Sequence, residues 1–235
     1  MTARFIHALL FCGLFAVSTA SAEGRLVHIV NFDDYEIGSE EDWLLGKGFQ
    51  FRVDMQRRDH IDLEVSEEGL KIEAKKRSLG MMVNEAANIS EFTYVEIDWG
   101  VNKFPEGASY EQGTRNEAMM VVFFMGDERL PSGSILIPNS PYFIGLFLCH
   151  NDDRTNHPYQ GRFFRAGGRY VCLDKPKPGE TITSRFDLLD GYRTFFDRER
   201  DDDPGISGLA IALDTKKATD KGRSSAFIRE IRVYR

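Results

Sequence analysis

Between Cys149 and Cys172 the chain reads CHNDDRTNHPYQGRFFRAGGRYVC. The stretch gathers two histidines (His150, His157), four arginines (Arg154, Arg162, Arg165, Arg169) and two tyrosines (Tyr159, Tyr170), against only two acids, Asp152 and Asp153. A guanidinium grips carboxylate, sulfate or phosphate in a two-pronged fork, so a basic segment in an acidic chain points to an anionic ligand. Tyrosine rings offer flat apolar faces on which sugar rings can rest. Residue chemistry therefore predicts a ligand-binding set of Arg154, Tyr159, Arg162, Arg165, Arg169 and Tyr170. The alternative is a surface β-hairpin whose arginines alternate into water and pair with nearby acids.

Candidates for catalysis lie in the same segment. A lyase acting on an acidic polysaccharide needs a cation to neutralise the substrate carboxylate and a His or Tyr to move the proton. His150, His157, Tyr159 and Arg162 have those chemistries, with nothing in their spacing to fix a mutual geometry. The sequence holds no G-x-S-x-G, H-E-x-x-H or Gly-rich phosphate loop, which leaves serine hydrolase, zincin and nucleotide chemistry without support. Zinc on Cys149, His150, His157 and Cys172 would match no standard pair-and-pair spacing. A second cluster is acidic: Asp33, Asp34 and Glu36 follow the first strand, and Glu230 sits on the last. Terminal strands that pair side by side would bring these four together as oxygen ligands for a structural calcium. Simple solvation of exposed acids is the competing account, and no cofactor is required by either.

How the cysteines are read depends on the compartment. Arg4 followed by the apolar run 5–17 and by Ala20-Ser21-Ala22 has the form of an export signal over residues 1–22, with cleavage before Glu23. The run is shorter than the roughly twenty residues of a membrane span, so no span is expected after cleavage. Cys12 would leave with the signal, and Cys149 and Cys172 would remain as a disulfide pair in a periplasmic or secreted protein. Closing a loop of that size is worth about 3 kcal/mol in the chain-entropy account. It would also hold the polar insert in one geometry, as a preorganised site requires. Without Arg4 the chain carries 29 basic against 37 acidic side chains, a balance opposed to nucleic-acid binding.

The elements that must position the insert read as strands. LVHIV at 26–30 opens the domain, and LKIEA at 70–74 alternates cleanly with period two. Val95, Ile97 and Trp99 alternate with Glu96 and Asp98, which predicts one buried and one wet face. AMMVVFFM from Ala118 and YFIGLFL from Tyr142 have no polar face, the pattern of strands covered on both sides between two layers. Residues 208–213 and 227–234 supply two more strands, with Phe227, Ile231 and Val233 on one face. Asp201-Asp202-Asp203-Pro204-Gly205 reads as a charged turn. Leu188, Leu189, Tyr192, Phe195 and Phe196 recur at helical spacing and predict a short amphipathic helix across an open end of the sandwich. No repeat or linker divides residues 23–235, so the expectation is a single all-β domain, a β-sandwich of jelly-roll type with one short helix.

Several segments carry a resemblance. NFDD at Asn31, YVEIDWGV at Tyr94, NEAMMVVFF at Asn116, DLLDGYRTFF at Asp187 and the ending from Ile211 are similar to an exported bacterial family known as domain of unknown function three thousand and forty-seven. That resemblance implies the fold and an Asp-rich turn near the end, here with Asp214, Asp220, Ser224 and Ser225. It implies no activity, and the Cys149–Cys172 insert departs from it. More distantly, Phe32-Asp33-Asp34-Tyr35-Glu36-Ile37-Gly38 resembles the opening of jelly-roll carbohydrate-binding modules, which implies glycan binding and a structural calcium. The leading expectation is thus an exported β-sandwich that binds a glycan or other envelope component. A polysaccharide-active enzyme such as a lyase and a structural envelope protein without a small ligand are the alternatives.

Overall fold

The computed structural model describes residues 24–35, 38–199, 201 and 203–235; the segment 1–22 expected as an export signal, Glu36 and Asp202 lie outside them. Among the described residues thirteen strands form two sheets. The six-stranded sheet contains β1 (Leu26–Asn31), β3 (Ile61–Ser66), β4 (Gly69–Ala74), β6 (Tyr94–Lys103), β11 (Thr181–Phe186) and β13 (Ser224–Tyr234). The seven-stranded sheet contains β2 (Gln50–Val53), β5 (Leu79–Asn84), β7 (Glu117–Leu130), β8 (Ser140–Phe147), β9 (Pro158–Tyr159), β10 (Gly168–Cys172) and β12 (Ile206–Asp214). The fold is a β-sandwich of jelly-roll type.

Alternation places Val95, Ile97, Trp99 and Val101 of β6 in the core opposite Val121 and Phe123 of β7, Ile144 and Leu146 of β8, and Leu209 and Ile211 of β12. Glu96 and Asp98 take the other face of β6, within 3.4 and 3.7 Å of Arg232. β13 corrects one expectation. Its register against β6 shifts between Ile228 and Glu230, so Ala226 and Ile228 before the bulge and Ile231 and Val233 after it all enter the core. An extra residue reverses the parity of a strand, and Phe227 is buried outside that cluster, with its ring closing on Gly100.

The helix expected from the apolar spacing is α2 (Leu188–Phe195), with Leu188 and Tyr192 buried and Leu189, Phe195 and Phe196 packed on the core. A second helix, α1 (Glu40–Gly46), was not anticipated. Ser39 caps it by accepting the Asp42 N–H at 3.0 Å, and three acids occupy its first turn, as the helix dipole favours. Trp43 of this helix meets Phe32 edge-on at 6.3 Å.

Trp99, one of the largest fully buried side chains, donates from Nε1 to Ser184 Oγ at 2.9 Å. Ser184 in turn donates to Asp174 Oδ2 at 2.6 Å, which ties the core of the six-stranded sheet to the chain just after Cys172. Ser184→Ala leaves a buried indole N–H without its acceptor and should cost about 1 to 3 kcal/mol. At about 2 to 4 °C per kcal/mol for a domain of this size, thermal unfolding should show a clear drop; an unchanged midpoint would remove the role assigned to this chain of hydrogen bonds.

Candidate functional site

β7 and β8 are apolar on both faces, as expected, but for a reason other than two flanking sheets. One face meets the six-stranded sheet. The other, bearing Met120, Val122, Phe143 and Phe147, is covered by the Cys149–Cys172 insert together with the loop 104–116. Tyr110 of that loop stacks on Phe147 at 4.4 Å and lies 5.6 Å from Tyr159 and 5.8 Å from Tyr170. Phe143 takes Phe164 and Tyr170 edge-on at 5.5 and 5.7 Å. The insert is a lid whose aromatic underside completes a second, smaller apolar core.

Its path is a crossover and not a hairpin. β10 returns parallel to β8, with Cys172 opposite Phe147, and β9 adds only two residues antiparallel to β10. Parallel neighbours need a long connection, which the insert supplies. Because the strands run the same way, their ends lie side by side, and Cys149 and Cys172 are disulfide-bonded with Cα atoms 5.6 Å apart. The Asn156 N–H also donates to Cys172 O at 2.7 Å.

Two carboxylates latch the lid reciprocally. Asp152, buried on the insert, accepts from Ser109 Oγ and from the Glu111 N–H, both at 2.9 Å. Glu111, on the facing loop, accepts from the N–H groups of Asp153 and Arg154 at 3.3 and 3.1 Å, from Arg154 Nε at 3.1 Å and from Tyr159 Oη at 2.9 Å. The Asp153 N–H and the Arg154 guanidinium hold the Glu111 carboxyl down at about 2. Burial, with the bond to Glu111, pushes the Tyr159 hydroxyl up to about 12. Neither Glu111 nor Tyr110 stood out in the sequence; the lid residues that each meets are distant in the chain.

The six predicted ligand residues are therefore not equivalent. Tyr159 is buried and Tyr170 partly buried, with both rings engaged in the lid core. Arg154 is paired with Glu111. Arg169 donates to Phe195 O at 3.0 Å and to Gly168 O at 2.9 Å, and lies over the Phe196 ring. Arg162 and Arg165 are exposed and form no ion pair among the described residues; Arg162 lies over Phe163. Between them Phe164 holds φ at 54°, a left-handed conformation unusual for an aromatic residue. Its N–H donates to Ser132 O at 2.8 Å, its carbonyl accepts from Gly168, and its ring packs on Phe143.

The proposed catalytic residues are not brought into one constellation. His150 stacks on Phe104, His157 meets Tyr159 edge-on, and no hydrogen bond joins any two of His150, His157, Tyr159 and Arg162 among the described residues. The crevice beside the lid, lined by Phe104, Glu117, His150 and Asp152 among others, measures about 10 Å³, room for about one water and no sugar. A roomier hollow of about 460 Å³ is lined by Asp197, Arg198, Glu199 and Asp201 and shares no residue with the insert. Glu230 is paired in register with Asn31, so the chain ends do lie side by side. Even so, Asp34 is engaged by Lys47 at 2.7 Å and Glu230 by Arg232 at 3.3 Å. Among the described residues no three His, Cys, Asp or Glu side chains are grouped to hold a metal ion.

Beneath the lid lies a carboxylate pair that only the strand register brings together. Glu117 of β7 stands opposite Asp214 of β12, and Tyr110 Oη donates to Glu117 Oε2 at 2.8 Å. Burial, then the neighbouring Asp214, push the Glu117 carboxyl well above its ordinary range, with the Tyr110 bond offsetting part of the rise.

No family model matches the chain, so the resemblance to the exported family of unknown function has no such support, and a search of curated proteins finds no match. Among solved structures, the metal-free carbohydrate recognition domain of Emp46p is similar at 13% identity and TM-score 0.41, covering 87% of this chain and 94% of that one. The CBM22-1 xylan-binding domain of Paenibacillus barcinonensis Xyn10C is similar at 10% identity and TM-score 0.33, with coverages of 90% and 96%. A family 11 xylanase from Neocallimastix patriciarum follows at 9% identity and TM-score 0.31, with coverages of 79% and 88%.

Two outcomes test the lid. Replacing both cysteines by alanine should lower stability by about 3 kcal/mol while leaving the sandwich folded, read by denaturant unfolding; a loss near zero would mean that the bridge constrains nothing. The second concerns pH. The folded state holds the Glu117 proton more tightly than the unfolded chain does, so its contribution is full below the ordinary glutamate value and is lost as pH rises through the raised folded value. Glu117→Gln, whose amide oxygen still accepts from Tyr110, should match wild type near pH 4 and exceed it by about 1 to 3 kcal/mol at pH 8. A variant less stable by the same amount at every pH would contradict this.

Proposed function

We propose that this is an exported, non-catalytic β-sandwich that binds an anionic glycan of the cell envelope through the loop carrying Arg162 and Arg165. The observation behind this reading is the contrast within the insert. Arg154 and Arg169 are tied to protein partners, whereas Arg162 and Arg165 project without ion pairs among the described residues. They flank a left-handed Phe164 anchored by hydrogen bonds and by its ring. Backbone strain kept at a surface loop motivates a functional reading of that loop, and fixing two guanidiniums before binding reduces the entropy lost on association. The lyase alternative is less favoured, since the crevice beside the lid measures about 10 Å³ and no hydrogen bond joins any two of His150, His157, Tyr159 and Arg162 among the described residues. Cys149–Cys172 pairing and an export signal at 1–22 fit an oxidising compartment.

The test is titration of polygalacturonate and of neutral dextran into the protein, with analysis for cleavage products. The acidic polymer alone should bind, more weakly as salt rises, with no product formed. Arg162→Ala and Arg165→Ala should each cost about 1 to 3 kcal/mol of binding without altering thermal unfolding. Wild-type protein that binds neither polymer would return both arginines to a solvated surface role, and release of unsaturated uronates would replace the binding reading with the enzymatic one.

A further inference from the structure

The connection between β7 and β8 presents a feature that glycan binding does not use. Ile135 and Leu136 are 102% and 87% exposed, against 54% for Val53, the next most exposed large apolar side chain among those described. The turn that carries them is internally braced. Buried Ser132 places its hydroxyl 2.6 Å from Ile137 O and 2.9 Å from Ser134 O, and accepts the Ser134 N–H at 3.2 Å. The Leu136 N–H donates to Ser134 Oγ at 3.2 Å. Polar groups of the turn are thus satisfied from within, and the two aliphatic side chains stand outward as a fixed tip. Leaving them in water is unfavourable by the apolar area that they expose.

The surroundings of the tip indicate what covers it. From Leu130 to Cys149 the chain has no charged residue. Arg129 stands at the base of the loop, its guanidinium donating to Asn139 O at 3.4 Å. The contact of Phe164 N–H with Ser132 O joins this loop to the one bearing Arg162 and Arg165. Of the two exposed acids just before it on β7, Glu128 is paired with Arg198 at 3.2 Å, and Asp127 has no ion pair among the described residues. Two protruding side chains bury far less than the roughly 800 Å² per partner of a stable protein interface. Apolar side chains entering a headgroup layer beneath a basic collar, by contrast, form a recognised mode of peripheral binding. No helix among the described residues is long and apolar enough to cross a membrane.

We infer that the Ile135–Leu136 tip, collared by Arg129, Arg162 and Arg165, docks the protein on an anionic phospholipid surface. The inference shares two arginines with the glycan reading but rests on the tip, so the two separate experimentally. Sedimentation with vesicles of phosphatidylcholine alone, or mixed with phosphatidylglycerol, should show binding to the mixed vesicles only. Ile135→Ser with Leu136→Ser should weaken that binding by about tenfold or more while leaving polygalacturonate binding unchanged. Arg129→Ala should weaken it by about fivefold. All three residues are exposed, so unaltered thermal unfolding serves as the folding control. Wild-type protein that ignores the mixed vesicles overturns the inference even if it binds polymer. Loss of polymer binding in the tip variant also overturns it, because the tip would then belong to the glycan surface. Vesicle binding that depends on the tip in a protein that ignores polymer supports the inference and removes the glycan reading alone.

Discussion

An apolar sheet face without a second sheet across it has to be covered, and most of what is distinctive in this protein follows from that constraint. Met120, Val122, Phe143 and Phe147 point away from the sandwich core, and leaving four such side chains in water would forfeit about 1.5 to 3 kcal/mol each. The chain covers them with its own loops. Tyr110, Tyr159, Phe164 and Tyr170 supply the apolar underside, and the Asp152 and Glu111 carboxylates bind backbone N–H groups across the two loops and so hold the cover in place.

The same cover explains why the insert's polar residues have divided roles. Residues facing the sheet are committed to packing, and those near Glu111 are committed to the latch. Among the arginines of the insert, Arg162 and Arg165 are the two left outward without an ion pair among the described residues, on an arc joined at Phe164 to the β7–β8 turn that raises Ile135 and Leu136. A lid tied to the sheet by a disulfide and by hydrogen bonds is a suitable base for a small recognition surface.

Much of this architecture was legible in the residues. Period-two alternation marked β6, runs without a polar face marked β7 and β8, and 3.6-residue spacing marked α2. The isolated cysteines, read with the expected export signal, pointed to the disulfide now seen. Other features depended on contacts that no local pattern encodes. The bulge in β13 moves Phe227 to the opposite face from Ile231, and parity alone does not reveal an added residue. Tyr159 and Tyr170 have the composition of ligand platforms, but facing Tyr110 across a crossover makes them packing residues. Asp152 and Glu111 are 41 positions apart in contact, a separation that only the fold closes. α1 is the exception, since Ser39 with three following acids was a readable helix start.

Hydrogen exchange at the latch tests most directly the claim that the insert is a closed lid. The amides of Asp153 and Arg154, which donate to Glu111, and that of Asn156, which donates to Cys172, should exchange slowly in the oxidised protein, and together become faster in Glu111→Ala. Rapid exchange of all three in wild type, at rates typical of an open surface loop, would contradict the account.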